Sequence, residues 1–117
     1  MQIDFQRSPY SPEDFKEWLK NLPDDFRFFP QSATGNLLAK FFEERRSNAD
    51  GKPVVCHDYC VRADGDESLF GASWPAMVSN TLSWIVADHR IPPSATHHSL
   101  PVSCAREYLL ARLSEFV

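Results

Sequence analysis

Long apolar runs are missing from this sequence. No stretch approaches the roughly 20 residues that a membrane-spanning helix requires, and the opening MQIDFQRSPY has no apolar segment of the secretory-signal kind. A basic stripe is missing too. Lys and Arg number 12 against 16 Asp and Glu, for a net charge of −4 with His neutral. A free-standing nucleic-acid binder needs clustered cations, because phosphate neutralisation dominates its affinity. The nearest feature is Arg45-Arg46 behind Glu43-Glu44, a mixed run that suits a solvated helix face. Cofactor loops are also absent. ATGN (33–36) has neither the glycine spacing nor the Lys-Ser/Thr pair of a phosphate loop, and GASWP (71–75) lacks the second glycine and the serine of a nucleophile elbow. Cysteine is scarce and odd in number, at three, and no Asn-x-Ser/Thr sequon occurs. That usage fits a reduced, cytoplasmic protein better than a disulfide framework. These absences set the first expectations: no cofactor, no nucleic acid or membrane as partner, and no enzyme.

What is present is an ordinary globular composition with an excess of rings. The 117 residues are 43% hydrophobic, and nine Phe bring the aromatic share to 13%. The length predicts one domain, 1–117. Ile3 and Phe5 would share a face of a short opening strand. Ser11, Pro12, Glu13 and Asp14 form a helix start, with a capping hydroxyl, proline in the first turn and carboxylates at the positive dipole end. Phe15, Trp18, Leu19 and Leu22 then recur at helical spacing before Pro23, which predicts a helix over 12–22. FRFF (26–29) is a short strand or a buried connector. A second helix is expected over 33–47, with Leu37, Leu38, Phe41 and Phe42 inward.

PVVCHDYCVR predicts one strand over 53–62, an Asp-Gly turn follows, and SLFGAS returns as its hairpin partner. The strongest helix is SWPAMVSNTLSWIVADHR. Trp74, Met77, Val78, Thr81, Leu82 and Ile85 trace its stripe, and Trp84 widens it into an arc suited to the centre of a core. RIPPSATHHSLP is a loop, and a last helix begins near Ser103 with Ala105, Leu109, Leu113 and Phe116 inward. The fold class implied is α+β: about four helices packed on a small antiparallel β-hairpin or sheet.

CHDYC (56–60) gathers two thiols, an imidazole and a carboxylate. A structural zinc site needs four ligands within bonding distance. In an extended strand Cys56 and Cys60 lie roughly 13 Å apart at about 3.3 Å per residue and cannot share a metal. A zinc-stabilised or thiol-active domain would have to recruit His97 and Cys104 from later in the chain to Cys56 and Cys60. Adjacent strand residues point to opposite faces, so His57 is badly placed to activate Cys56, and Asp58 would disfavour a thiolate. The ordinary alternative is a hairpin strand with cysteines acting as small apolar residues. A deep polar cleft holding His57, Asp58 and Tyr59 would instead favour a small enzyme. DGDES (64–68) has alternate Asp64, Asp66 and Ser68, but the glycine comes too early for a calcium loop and Pro75 stands where the bidentate Glu belongs. It suits a turn.

His97-His98 sit in the proline-rich loop, where solvated histidines are the usual case and a partner contact is the alternative. Phe28, Phe29, Phe41, Phe42, Trp74, Trp84 and Phe116 fall mostly on core stripes. FRFFP and the Phe41-Phe42 pair cover more than one face, however, and exposed aromatics anchor interfaces.

The order of EWLKNLP, NLLAKFF, ASWPAMVSNTLSWIVAD and LPVSCAREYLLARL resembles a class of short bacterial proteins of unknown function. They share a Trp-Leu and proline turn, a Leu-Ala-x-aromatic segment, a Trp-containing helix and a Val-Ser-initiated last helix. The chain departs from the class at ATGN, where a Cys-Pro often stands. The resemblance covers about half the chain and implies no activity and no functional residue. The expectation is therefore a small acidic protein-binding module. It would be an adaptor or an inhibitor, of the kind a phage or mobile element encodes against a defence system, with Phe28, Phe29, His97 and His98 as contacts. Its partner would be another protein, or a second copy in a homodimer.

Overall fold

The computed structural model describes residues 3–45, 53–63 and 65–116. The fold is α+β, with helices α1 (Pro12–Asn21), α2 (Leu37–Arg45), α3 (Trp74–Asp88) and α4 (Arg106–Leu113). Two small antiparallel sheets accompany them. One pairs β1 (Arg27–Phe28) with β5 (Leu100–Pro101), and the other has the order β2 (Val55–Cys56), β3 (Cys60–Ala63), β4 (Asp66–Leu69). A 3₁₀ turn, Val102–Cys104, leads into α4. Among the described residues no helix is long and apolar enough to cross a membrane. The far end of the expected second helix, with Arg46, and Asp64 of the Asp-Gly turn lie outside the described residues.

Helix α1 starts as its sequence dictates. The Ser11 hydroxyl accepts from the Asp14 amide at 3.2 Å and the Asp14 carboxylate accepts from the Ser11 amide at 3.2 Å, a reciprocal capping box. Burial pushes the Asp14 carboxyl up, but hydrogen bonds from Ser11 and Ser8 outweigh it and leave the group below its ordinary value. Arg106 at the start of α4 holds the other end of α1. Its guanidinium donates to the carbonyls of Leu19 (3.2 Å) and Leu22 and pairs with Asp24 at 2.5 Å. Cationic donors at a helix C-terminus satisfy carbonyls that have no partner within the helix.

The ring excess is spent on the core. Trp74 is fully buried, stacks on Phe15 with centroids 4.7 Å apart, and meets Phe41 edge-on at 5.7 Å. Its indole N–H donates to the carbonyls of Phe5 (2.9 Å) and Tyr10 (3.0 Å), which ties the N-terminal segment to the centre. That segment is not the short strand its alternation implied: Phe5 is buried, but residues 3–4 form no strand and 5–10 run as turns and bends.

Helix α3 ends without glycine. Ile91 N–H reaches the Val86 carbonyl (3.1 Å) and Arg90 N–H the Ala87 carbonyl (3.1 Å), with Arg90 at φ +54°. This is a Schellman cap with an arginine in its left-handed position, closed by the buried Ile91.

The largest departure is at residues 53–62. No single strand forms. The chain reverses at His57–Tyr59, so β2 and β3 are the two arms of a hairpin, with Val55 opposite Arg62 and Cys56 opposite Val61. CHDYC is the turn itself. Each end of the turn has a partner elsewhere: Ala33 O accepts from the Cys56 amide (2.8 Å), and Tyr59 O accepts from the Phe70 amide (2.9 Å).

Candidate functional site

The reversal at CHDYC builds a cleft from three segments that are distant in sequence. The first is the loop 29–36. It closes on itself through Phe29 N–H to Gly35 O at 2.9 Å, and a Cβ on Gly35 would stand 3.1 Å from the Phe29 Cβ. Asn36 ends the loop in three roles. Its Oδ1 accepts from the Ala39 amide at 2.8 Å and caps α2, while its Nδ2 donates to Ser32 O (3.0 Å) and Cys56 O (3.1 Å). One side chain thus starts a helix and fixes the edge of β2. The second segment is the hairpin tip, where His57 N–H bonds Cys60 O at 2.9 Å and His57, Asp58 and Tyr59 face solvent. The third is α3, which contributes Ser79, Leu82, Ser83 and Val86, spaced i, i+3, i+4, i+7 on one stripe.

The resulting cavity is about 170 Å³, with Leu38, Leu82 and Val86 as its apolar wall. An outer lobe of about 260 Å³ shares Asn36, Cys56, His57 and Asp58 and adds Tyr59. Ser79 is 9% exposed, and its hydroxyl has no hydrogen-bond partner among the described residues. Its carbonyl, by contrast, accepts from Ser83 at 3.1 Å. This hydroxyl therefore stands available to a polar group that enters the cavity.

The thiols are placed for packing. Burial pushes Cys56 up to about 12, with Cys60 and Asp58 adding to the rise. Burial also raises Cys60, reinforced by Glu67, and raises Cys104. At neutral pH all three are overwhelmingly protonated, the form that neither attacks nor ligates. The 13 Å separation expected for Cys56 and Cys60 is overturned by the reversal, which sets them on the two sides of one turn. The set Cys56, Cys60, His97 and Cys104 nevertheless does not assemble. Cys104 lies in the 3₁₀ segment within the field of Arg27, and His97 is exposed on its loop. Among the described residues no three His, Cys, Asp or Glu are grouped to hold a metal ion.

His57, Asp58 and Tyr59 do line one cleft, yet no hydrogen bond joins the imidazole to Asp58 or to a hydroxyl or thiol among the described residues. No nucleophile and base are paired there.

The expected protein contacts separate. Phe28 is fully buried opposite Leu100 and has no surface to offer. Phe29 is half-buried, and His97 and His98 are exposed. The exposed rings are elsewhere. Trp84 is 69% and Tyr108 67% exposed, and with Thr81, Asp88, Ala111 and Arg112 they line a groove of about 430 Å³ between α3 and α4. Trp84 does not widen the buried arc. Thr81 is buried, while Trp84 and Asp88, at i and i+4, are exposed, and the charge one turn beyond Trp84 is the sequence signal that this edge of the helix faces water. The chain matches no protein-family model, no curated protein and no solved structure.

Proposed function

We propose that this protein is a non-catalytic protein-binding module, of the adaptor or inhibitor kind, that docks through the α3/α4 face. The observation that supports it is the pair Trp84 and Tyr108, two rings about two-thirds exposed on either side of one groove. Large aromatics left in water lose the gain of burial, about 25 cal/mol for each Å². Trp and Tyr with a nearby Arg are also the residue types that dominate binding energy at interfaces. Arg112 and Asp88 at the margins give the groove a polar rim around an apolar centre. His97 and His98 remain accessible as a second contact on the loop.

The test is capture from lysate by tagged protein, with native mass spectrometry of the isolated chain alongside. The Trp84→Ala/Tyr108→Ala double variant is expected to lose the captured partner, or the homodimer if a second copy occupies the face. Capture that survives this variant but is lost with His97→Ala/His98→Ala would move the contact to the loop. A strictly monomeric protein that captures nothing would end the proposal.

A further inference from the structure

We infer that the cleft between the hairpin tip and α3 is a binding site for a small amino alcohol. In it an ammonium group sits at the Asp58 rim, a hydroxyl meets Ser79, and a short alkyl chain joins them. The inference concerns a different stripe of α3 from the docking face and stands without it.

Three observations select this chemistry. The first is the deep end. Ser79 is nine-tenths buried, lines the cavity, and has a hydroxyl that nothing among the described residues bonds. Asn36 cannot serve in its place, because its amide is committed to Ser32, Cys56 and Ala39. A ligand hydroxyl both donates and accepts, as the Ser79 hydroxyl does, so the two satisfy each other whichever way the proton points.

The second is the sign of charge. Among the described residues Asp58 is the only carboxylate in either lobe, and no Lys or Arg lines them. A cation finds a counter-charge at Asp58 and the face of Tyr59 in the outer lobe. An anion finds a like charge there. The third is the wall. Leu38, Leu82 and Val86 line the cavity beside the polar Gln31, Asn36, His57 and Ser83, so a short alkyl chain has an apolar surface to lie against between the two polar ends. About 170 Å³, set against a water's share of about 30 Å³, suits a ligand of about six heavy atoms.

The probe is 4-amino-1-butanol, titrated against the ¹⁵N-labelled full chain and followed by amide shifts. Saturable shifts are expected at His57, Asp58, Ser79 and Ser83, with a dissociation constant on the order of 1 mM for so small a ligand. 4-Hydroxybutanoate, with a carboxylate in place of the ammonium, should produce none. Asp58→Asn, at an exposed turn, should weaken the amine about tenfold, the usual effect of losing a charged hydrogen-bond partner. Ser79→Ala should abolish the preference for 4-amino-1-butanol over n-butylamine, which lacks the hydroxyl. The Trp84→Ala/Tyr108→Ala variant should titrate like the parent. The inference is overturned if neither probe gives a saturable shift, if both bind alike, or if Asp58→Asn leaves the amine affinity unchanged.

Discussion

The cleft and the groove share α3 as a wall and are built on opposite plans. In the cleft, the shape is held by hydrogen bonds between segments far apart in sequence. Asn36 reaches Cys56, Ala33 O takes the Cys56 amide, and the thiol beneath is hidden. In the groove, the lining side chains Trp84 and Tyr108 stand out from a helix pair whose buried residues are others, Ile85 on α3 and Leu109 and Leu113 on α4. A surface whose lining also holds the fold is altered only at a cost in stability. A surface made of outward side chains is free to change. The difference teaches where function and folding are coupled in this molecule, and it can be broken experimentally.

The largest effects are expected where a single polar side chain holds elements together. Asn36→Ala removes the α2 cap and the tie to β2 at once, and should lower stability by about 2–3 kcal/mol. Arg106→Ala, which strips three donors from the α1–α4 junction, should cost a similar amount. Urea titrations of the two variants would check both. The comparison sharpens in hydrogen exchange. Asn36→Ala should speed exchange at the Cys56 amide and leave the Leu109 and Leu113 amides slow, and Arg106→Ala should do the reverse. Equal acceleration everywhere would mean that the two regions open as one unit.

The next effect belongs to the cleft alone and depends on pH. Cys56 has its folded-state value pushed up to about 12, chiefly by burial, against about 8.5 in an unfolded chain. The neutral thiol therefore contributes stability that is fully present below the unfolded value and is lost as pH rises from there toward 12. Between pH 8 and 10 the wild type should lose about 1–2 kcal/mol relative to Cys56→Ala, which has no thiol to titrate. Parallel denaturation curves at the two pH values measure it, and a difference that does not change with pH would place the Cys56 thiol in water. The same burial predicts that iodoacetamide at pH 8 modifies the half-buried Cys104 well before Cys56 or Cys60.

The parts of the fold that were legible in the sequence were those governed by local chemistry. Ser11-Pro12-Glu13-Asp14 announced α1, and the capping box formed. The stripe of Trp74, Val78, Leu82 and Ile85 announced α3. The aromatic core was legible as well, since Phe41, Phe42 and Trp74 lie where their spacing put them. What was hidden depends on partners far along the chain. CHDYC lies between valines, which favour a strand on either side, and it contains no glycine or proline to mark a reversal. The reversal is imposed from outside, by Ala33 and Asn36 on one arm and Phe70 on the other. Half of the candidate cleft depends on that reversal: His57 and Asp58 stand out in the sequence by their chemistry, whereas Ser79 is one serine of a helix with no local sign that it lines a cavity. Phe28 reads equally as core ring or partner contact in the sequence, because its register against Leu100, which buries it, leaves no trace in local pattern.

A smaller, stabilising effect tests the end of α3. Arg90 holds φ at +54°, a region that disfavours any residue with a Cβ. Arg90→Gly relieves that cost but adds freedom to the unfolded chain, and the balance should be a gain of about 0.5 kcal/mol. It should move neither the groove nor the cleft, and a loss of stability would show that the arginine side chain does more at the cap than its backbone suggests.

The smallest effect on stability is the most telling for the comparison. Trp84→Ala and Tyr108→Ala remove rings that are already in water, so each should shift stability by less than about 0.5 kcal/mol. If either ring instead costs 2 kcal/mol or more, a magnitude typical of buried aromatics, then the groove is part of the core's support and the contrast with the cleft fails. With stability unchanged, any effect of the pair on solubility or association reports the surface alone. Tyr108 and Trp84 flank the same groove, so an occupant that spans it touches both, and the losses from the two single variants should then fail to add. Additive losses would mean two independent contacts. That measurement separates a docking face from two rings that happen to lie side by side.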